Sequence, residues 1–99
     1  MVVGGRHTKL QPYKMNTLTL NSAVASYEIR PQGTAGTLMR EYYYALTLGA
    51  DVEQPITWAS SVDVFQGGSA SAIAPVAGQL NLYHIIEYSS GHFAAMKLI

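Results

Sequence analysis

Alternation of apolar and polar residues at every second position governs most of this chain from Thr17 onward. In "TLTLN", Leu18 and Leu20 point to one side and Thr17 and Thr19 to the other, which is the pattern of a half-buried strand. "SYEIRP" continues it, with Tyr27 and Ile29 on one face. Pro31 and the glycines of "PQGTAGT" predict a loop next, because proline cannot donate to a strand ladder and glycine enters turn conformations that other residues resist. The longest alternation is "LMREYYYALTLG", with Tyr42, Tyr44, Leu46 and Leu48 on one face and Met39, Glu41, Tyr43, Ala45 and Thr47 on the other. A helix could begin there, but a run of tyrosines followed by threonine fits a pleated surface better than a helical turn.

After a loop at "GADVEQP", the segment "ITWASSVDVF" predicts one or two short strands, with Ile56 and Trp58 on one face and Val62 and Val64 aligned in the later half. The small residues of "QGGSASAIAPVAGQ" read as a long ordered connection. The final segment predicts a hairpin: "QLNLYHIIEY" runs out, "SSG" turns, and "HFAAMKLI" returns. Leu80, Leu82, His84, Ile86 and Tyr88 share one face of the outgoing strand, and Tyr83 and Ile85 the other. Both faces are apolar, as in a central strand or one whose outer face another subunit covers. Residues 1–16 mix Gly4, Gly5 and Pro12 with basic residues and read as an N-terminal arm or loosely attached first strand. The expected fold is therefore all-β, an antiparallel β-sandwich or jelly-roll-like domain over residues 17–99 with that arm in front.

Composition turns attention to the surface. Apolar residues make up 48% of the 99 and charged residues only 12%, so serine, threonine, asparagine, glutamine, tyrosine and glycine must cover much of the exterior. The formal net charge is zero, which removes the repulsion that keeps copies apart and gives no global field to attract nucleic acid. The expected partners are other copies of the chain and neighbouring proteins, with no nucleic acid. There is no cysteine, which excludes disulfides and thiolate chemistry. No apolar run approaches the roughly 18 residues of a membrane span, and the opening "MVVGGRHTKLQPYK" places its basic residues after the apolar start, the reverse of a signal peptide.

Candidate chemistry is sparse. Asp51 and Glu53 lie close enough in sequence to share a hard cation, although a calcium loop gathers more oxygen ligands, and a solvated turn is the better reading. His84, Glu87 and His92 invite an acid/base or metal reading, since a turn at Ser89 and Ser90 could set His92 across from Glu87. That reading lacks an oriented third group, so no catalytic residue, metal or cofactor is assigned and the expectation is a protein that is not an enzyme. "GGSAS" has no lysine and no following helix to cradle phosphate. Arg6, Lys9 and Lys14, beside His7, can neutralise carboxylates on a partner surface. Of the consecutive tyrosines Tyr42, Tyr43 and Tyr44, alternation sends at least one ring outward, and exposed aromatics favour interfaces or sugar stacking.

The order of "NTLTLNSAVASYEI", "REYYYALTLGA", "ITWASSVDVFQGG" and "AGQLNLYHIIEYSSGHFAAMKL" resembles a module of tailed-bacteriophage virion proteins, particularly fibre and other appendage proteins. The resemblance covers residues 16–98. Two departures stand out: Ala59 follows Trp58 where proline is frequent in the module, and the closing strand carries Phe93 in place of a Trp/Tyr pair. The resemblance implies a virion structural protein, a capsid decoration or a head-fibre or tail-appendage subunit, forming a homotrimer on phage capsid or tail proteins. Within that reading Tyr42, Tyr43, Tyr44, Tyr83 and Ile85 are the expected interface, Arg6, Lys9 and Lys14 dock on the particle, and Trp58 anchors the core. The alternative is a fibre module that recognises host glycans through its tyrosines and Trp58.

Overall fold

The computed structural model describes residues 6–21, 27–31, 40–50 and 56–99. Eight strands appear in chain order: β1 Arg6–Leu10, β2 Met15–Leu20, β3 Tyr27–Pro31, β4 Glu41–Leu48, β5 Ile56–Trp58, β6 Val62–Phe65, β7 Leu80–Ser89 and β8 His92–Lys97. Two short 3-10 turns, Gln66–Gly68 and Ala70–Ile73, join β6 to β7. The protein is all-β, as the alternation predicts.

The small sheet is parallel and the large one mixed, and this corrects the antiparallel expectation. β1, β3 and β5 form a small sheet in that order, every pair parallel. β2, β4, β7, β8 and β6 form a large sheet in that order, in which β2 pairs β4 and β6 pairs β8 in parallel, while β7 runs antiparallel to both neighbours. From β1 to β6 the chain changes sheet after every strand. A strand then meets its neighbour in the same sheet only after a crossover through the other one, and crossovers make parallel pairs. Alternating polarity along a strand is identical for parallel and antiparallel ladders, so the sequence pattern carries no information on direction. Of the two readings of residues 1–16, arm or first strand, the described part is a strand: the β1 backbone is the edge of the small sheet, and Leu10 at its end is fully buried.

One core serves both sheets. Leu10 and Ile29 enter it from the small sheet, Tyr42, Tyr44, Tyr83 and Phe93 from the large one, and Ile73 from the second 3-10 turn. Trp58, half-buried on β5, crosses the gap to make T-shaped contacts with Tyr83 of β7 at 5.3 Å and Phe65 of β6 at 5.9 Å. Tyr83 in turn donates its hydroxyl to the Ile73 carbonyl at 2.7 Å, which ties the 3-10 turn to the sheet. Gly67 permits the tight first turn: its φ is +81°, and a Cβ there would meet the Ala72 Cβ at 2.8 Å.

Two asparagines fix the connections. Asn16 accepts from the Gln11 N–H at 2.8 Å and donates to the carbonyls of Gln11, Lys14 and Tyr43, so it holds the β1–β2 turn against β4. Asn81, fully buried on β7, accepts from the Val76 N–H at 2.7 Å and donates to the carbonyls of Val76, Gln79 and Leu46. Replacing its amide by an alkyl group takes this partner from the buried Leu46 carbonyl and from part-buried backbone groups of Val76 and Gln79, and such groups are costly to leave unpaired. Asn81→Leu is expected to lower stability by about 2–3 kcal/mol in urea unfolding. The Tyr44 hydroxyl is buried with no hydrogen-bond partner among the described residues, so Tyr44→Phe removes a desolvated polar atom and should leave stability unchanged or raise it in the same assay.

Candidate functional site

The inner faces of both sheets are consumed by the core, which leaves the outer face of the large sheet as its main surface. Paired residues share a face, so the ladder registers lay that surface out in rows. One row reads Met15, Tyr43, His84 and Met96 across four strands. The next reads Glu41, Ile86, Ala94 and Val64. Toward the other end lie Thr17, Ala45 and Leu82, and then Thr19, Thr47 and Leu80. A sheet with one face on the core normally turns polar residues to water on the other. Here that second face is mostly apolar, with Met15, Leu80 and Val64 exposed and Leu82, Ile86 and Met96 retaining part of their surface.

Polar groups punctuate this face at two places. In the first row the Tyr43 ring lies flat on His84, 4.8 Å between centroids and 7° between planes, and His84 Nε2 stands 3.5 Å from Glu41 Oε1. At the corner by the hairpin turn, Tyr88 donates its hydroxyl to Asp63 Oδ1 at 2.6 Å, and His92 Nδ1 lies 3.0 Å from Asp63 Oδ2. The Tyr88 hydroxyl above all, and then His92, hold the Asp63 carboxyl below the ordinary aspartate range. The same bond raises the Tyr88 phenol, because the proton it donates is harder to remove.

The structure redistributes the residues singled out from the sequence. Tyr42, Tyr44, Tyr83 and Ile85 are fully buried within their own chain and have no surface to give a partner; this corrects their placement at an interface. The reason is the second sheet, which closes over the very faces that looked available. Only Tyr43 of that set looks outward, and the outer side of β7 is the Leu80, Leu82, His84, Ile86, Tyr88 side. The pairing of Glu87 with His92 is also corrected. Glu87 lies opposite Phe93 and turns inward, where it accepts from the Gly91 N–H at 2.9 Å and faces Arg40 Nη1 at 3.8 Å. His92 reaches Asp63 instead.

Trp58 occupies the gap between the sheets, with its ring engaged by Phe65 and Tyr83. Arg6 and Lys9 lie on β1, and Lys14 is exposed in the turn that follows. Asp51 and Glu53 fall outside the described residues. Among the described residues no group of three or more histidine, aspartate or glutamate side chains is placed to hold a metal ion. Sequence reasoning missed the link of Asp63 to Tyr88 and His92, which are 25 and 29 residues away along the chain. No short motif records such a contact.

Comparison with protein-family models, curated proteins and solved structures returned no match for this chain.

The Asp63 cluster yields a pH prediction. A carboxyl held low stabilises the fold above the ordinary aspartate pKa, and that contribution is lost as pH falls through the depressed value. Carboxyl-detected NMR titration should therefore show Asp63 titrating below ordinary aspartates, and Tyr88→Phe should move its midpoint upward, since the largest cause of the depression is removed.

Proposed function

We propose that this chain is a non-enzymatic structural subunit that assembles through the outer face of its large sheet. The observation that carries the reading is the row Met15, Tyr43, His84, Met96 with its neighbour Ile86, Ala94, Val64: an apolar sheet face on a protein of zero net charge. Each square ångström of apolar surface withdrawn from water contributes about 25 cal/mol, and contiguous exposed apolar surface of this kind marks association sites. Tyr43 on His84 supplies a flat aromatic contact at the centre, the residue class enriched in such interfaces.

The resemblance to tailed-phage virion modules gives this assembly its setting: a capsid decoration or a head-fibre or tail-appendage subunit, organised as a homotrimer on capsid or tail proteins of the virion. Arg6, Lys9 and Lys14 are its docking cations. Because β1 carries Leu10 into the core, these three are properly neutralised rather than deleted when docking is examined.

Ile86 stands in the middle of the proposed interface, beside Glu41 and Ala94. A lysine there puts a long charged side chain into the apolar contact while leaving the inner face untouched. Light scattering after size exclusion at micromolar concentration should find wild-type protein as an oligomer. Ile86→Lys should lower that mass at least twofold with the strand content intact by circular dichroism. A wild-type chain that stays at the mass of one chain, or an Ile86→Lys variant of unchanged mass, would overturn the reading.

A further inference from the structure

Four strands end the two sheets, and three of them are shielded against pairing with another chain. Exposed strand edges are ordinarily blunted by short length, bulges or charge. β5 is three residues long. β6 carries a register shift between Val62 and Val64 and runs straight into the 3-10 turns. β1, reading RHTKL, is studded with basic residues. β2 has none of these devices: it is MNTLTL, six residues with no charge, no proline and an unbroken register along β4.

Among the described residues no strand pairs with the other side of β2, and that side can be specified atom by atom. The Gly49 N–H donates to the Leu20 carbonyl, so the backbone groups of Leu20 face β4. Successive residues of a strand point their N–H and C=O to opposite sides, which directs Asn16 and Leu18 toward β4 as well and turns Met15, Thr17 and Thr19 to the open edge. This outward set is symmetric about Thr17. An antiparallel copy centred there places Thr17 opposite Thr17, and Met15 opposite Thr19 twice. Each is a pair that exchanges both of its backbone hydrogen bonds. Lys14 then lies beyond Thr19 of the other copy, clear of its own counterpart.

We propose that β2 is a homodimerisation edge, at which a second copy of this chain adds its own β2 antiparallel about a two-fold axis through Thr17. The axis lies along the sheet normal, so the two large sheets become one and their outer faces look the same way. Such a contact is self-complementary and closes at two chains, the commonest symmetry of soluble oligomers. It uses backbone groups at the sheet edge and is a second, two-fold interface, additional to and separate from the apolar face through which the homotrimer is proposed to form.

Hydrogen exchange read residue by residue on the intact chain tests this directly. The amides of Met15, Thr17 and Thr19 should be protected at high protein concentration and lose that protection on dilution, while those of Leu18 and Leu20 stay protected throughout. Thr17→Pro removes an outward N–H and spares the ladder to β4, so it should abolish the concentration-dependent protection and halve the mass. Ile86→Lys should leave the edge protection in place. Fast exchange at Met15, Thr17 and Thr19 at every concentration in the wild-type protein would overturn the edge proposal, whatever the fate of Thr17→Pro. If mass falls with Ile86→Lys alone, the edge proposal fails and the face reading stands; if it falls with Thr17→Pro alone, the reverse holds.

Discussion

Tyr83 is the point on which the two sheets depend. Its ring makes a T-shaped contact with Trp58 of the small sheet and lies 6.3 Å from Tyr44 on the neighbouring strand, and its hydroxyl holds the Ile73 carbonyl. A large aromatic ring buries about 150–250 Å². One with a polar tip can meet the backbone of a turn without leaving an unpaired atom in the core. Burial raises its phenol well above the ordinary tyrosine value, so the hydroxyl keeps the proton it donates at neutral pH. The contact also explains why a three-residue strand suffices at β5: Trp58 is held by side chains of the opposite sheet as well as by its ladder to β3.

The tyrosine cluster consumed by the core is what separates inner from outer surface. Once Tyr42, Tyr44 and Tyr83 are enclosed, what the protein presents is set by residues that alternate with them: Tyr43, His84, Ile86 and their partners. An outer face of this composition is a poor match to water and a good one to another apolar surface. The charged groups that border it are committed locally, Glu41 toward His84 and Asp63 between Tyr88 and His92. Glu41 and His84 lie within the rows, but they face each other, and the residues around them are mostly apolar.

Much of the secondary structure was legible because it is written in short-range pattern. Period-two alternation located β2, β3, β4 and the β7–β8 hairpin, and glycine and serine at 89–91 marked the turn. What alternation could not show is anything that depends on distance along the chain. It assigned Tyr83 and Ile85 to a face but could not say which face the small sheet would cover. It gave β1 no partner, since the partner, β3, follows in the chain only after β2 of the other sheet. Asn16 and Asn81 look like ordinary polar positions in strands, and only the loops folded onto them reveal that they replace missing backbone bonds. Glu87 reads as a surface acid until Arg40 and the Gly91 amide are seen around it.

The strand order has a consequence for how the chain folds as it is made. β7 and β8 are inserted between β4 and β6, so the inner tyrosines of β4 gain their antiparallel neighbour, and β6 gains its partner β8, from the last quarter of the sequence. Non-local pairings of this kind delay the rewarding contacts until distant segments have met, which slows folding and prolongs exposure of sticky surface. An emerging chain would hold Tyr42 and Tyr44 uncovered until the C-terminal hairpin is released. The large sheet is thus complete only when the hairpin has reached both β4 and β6.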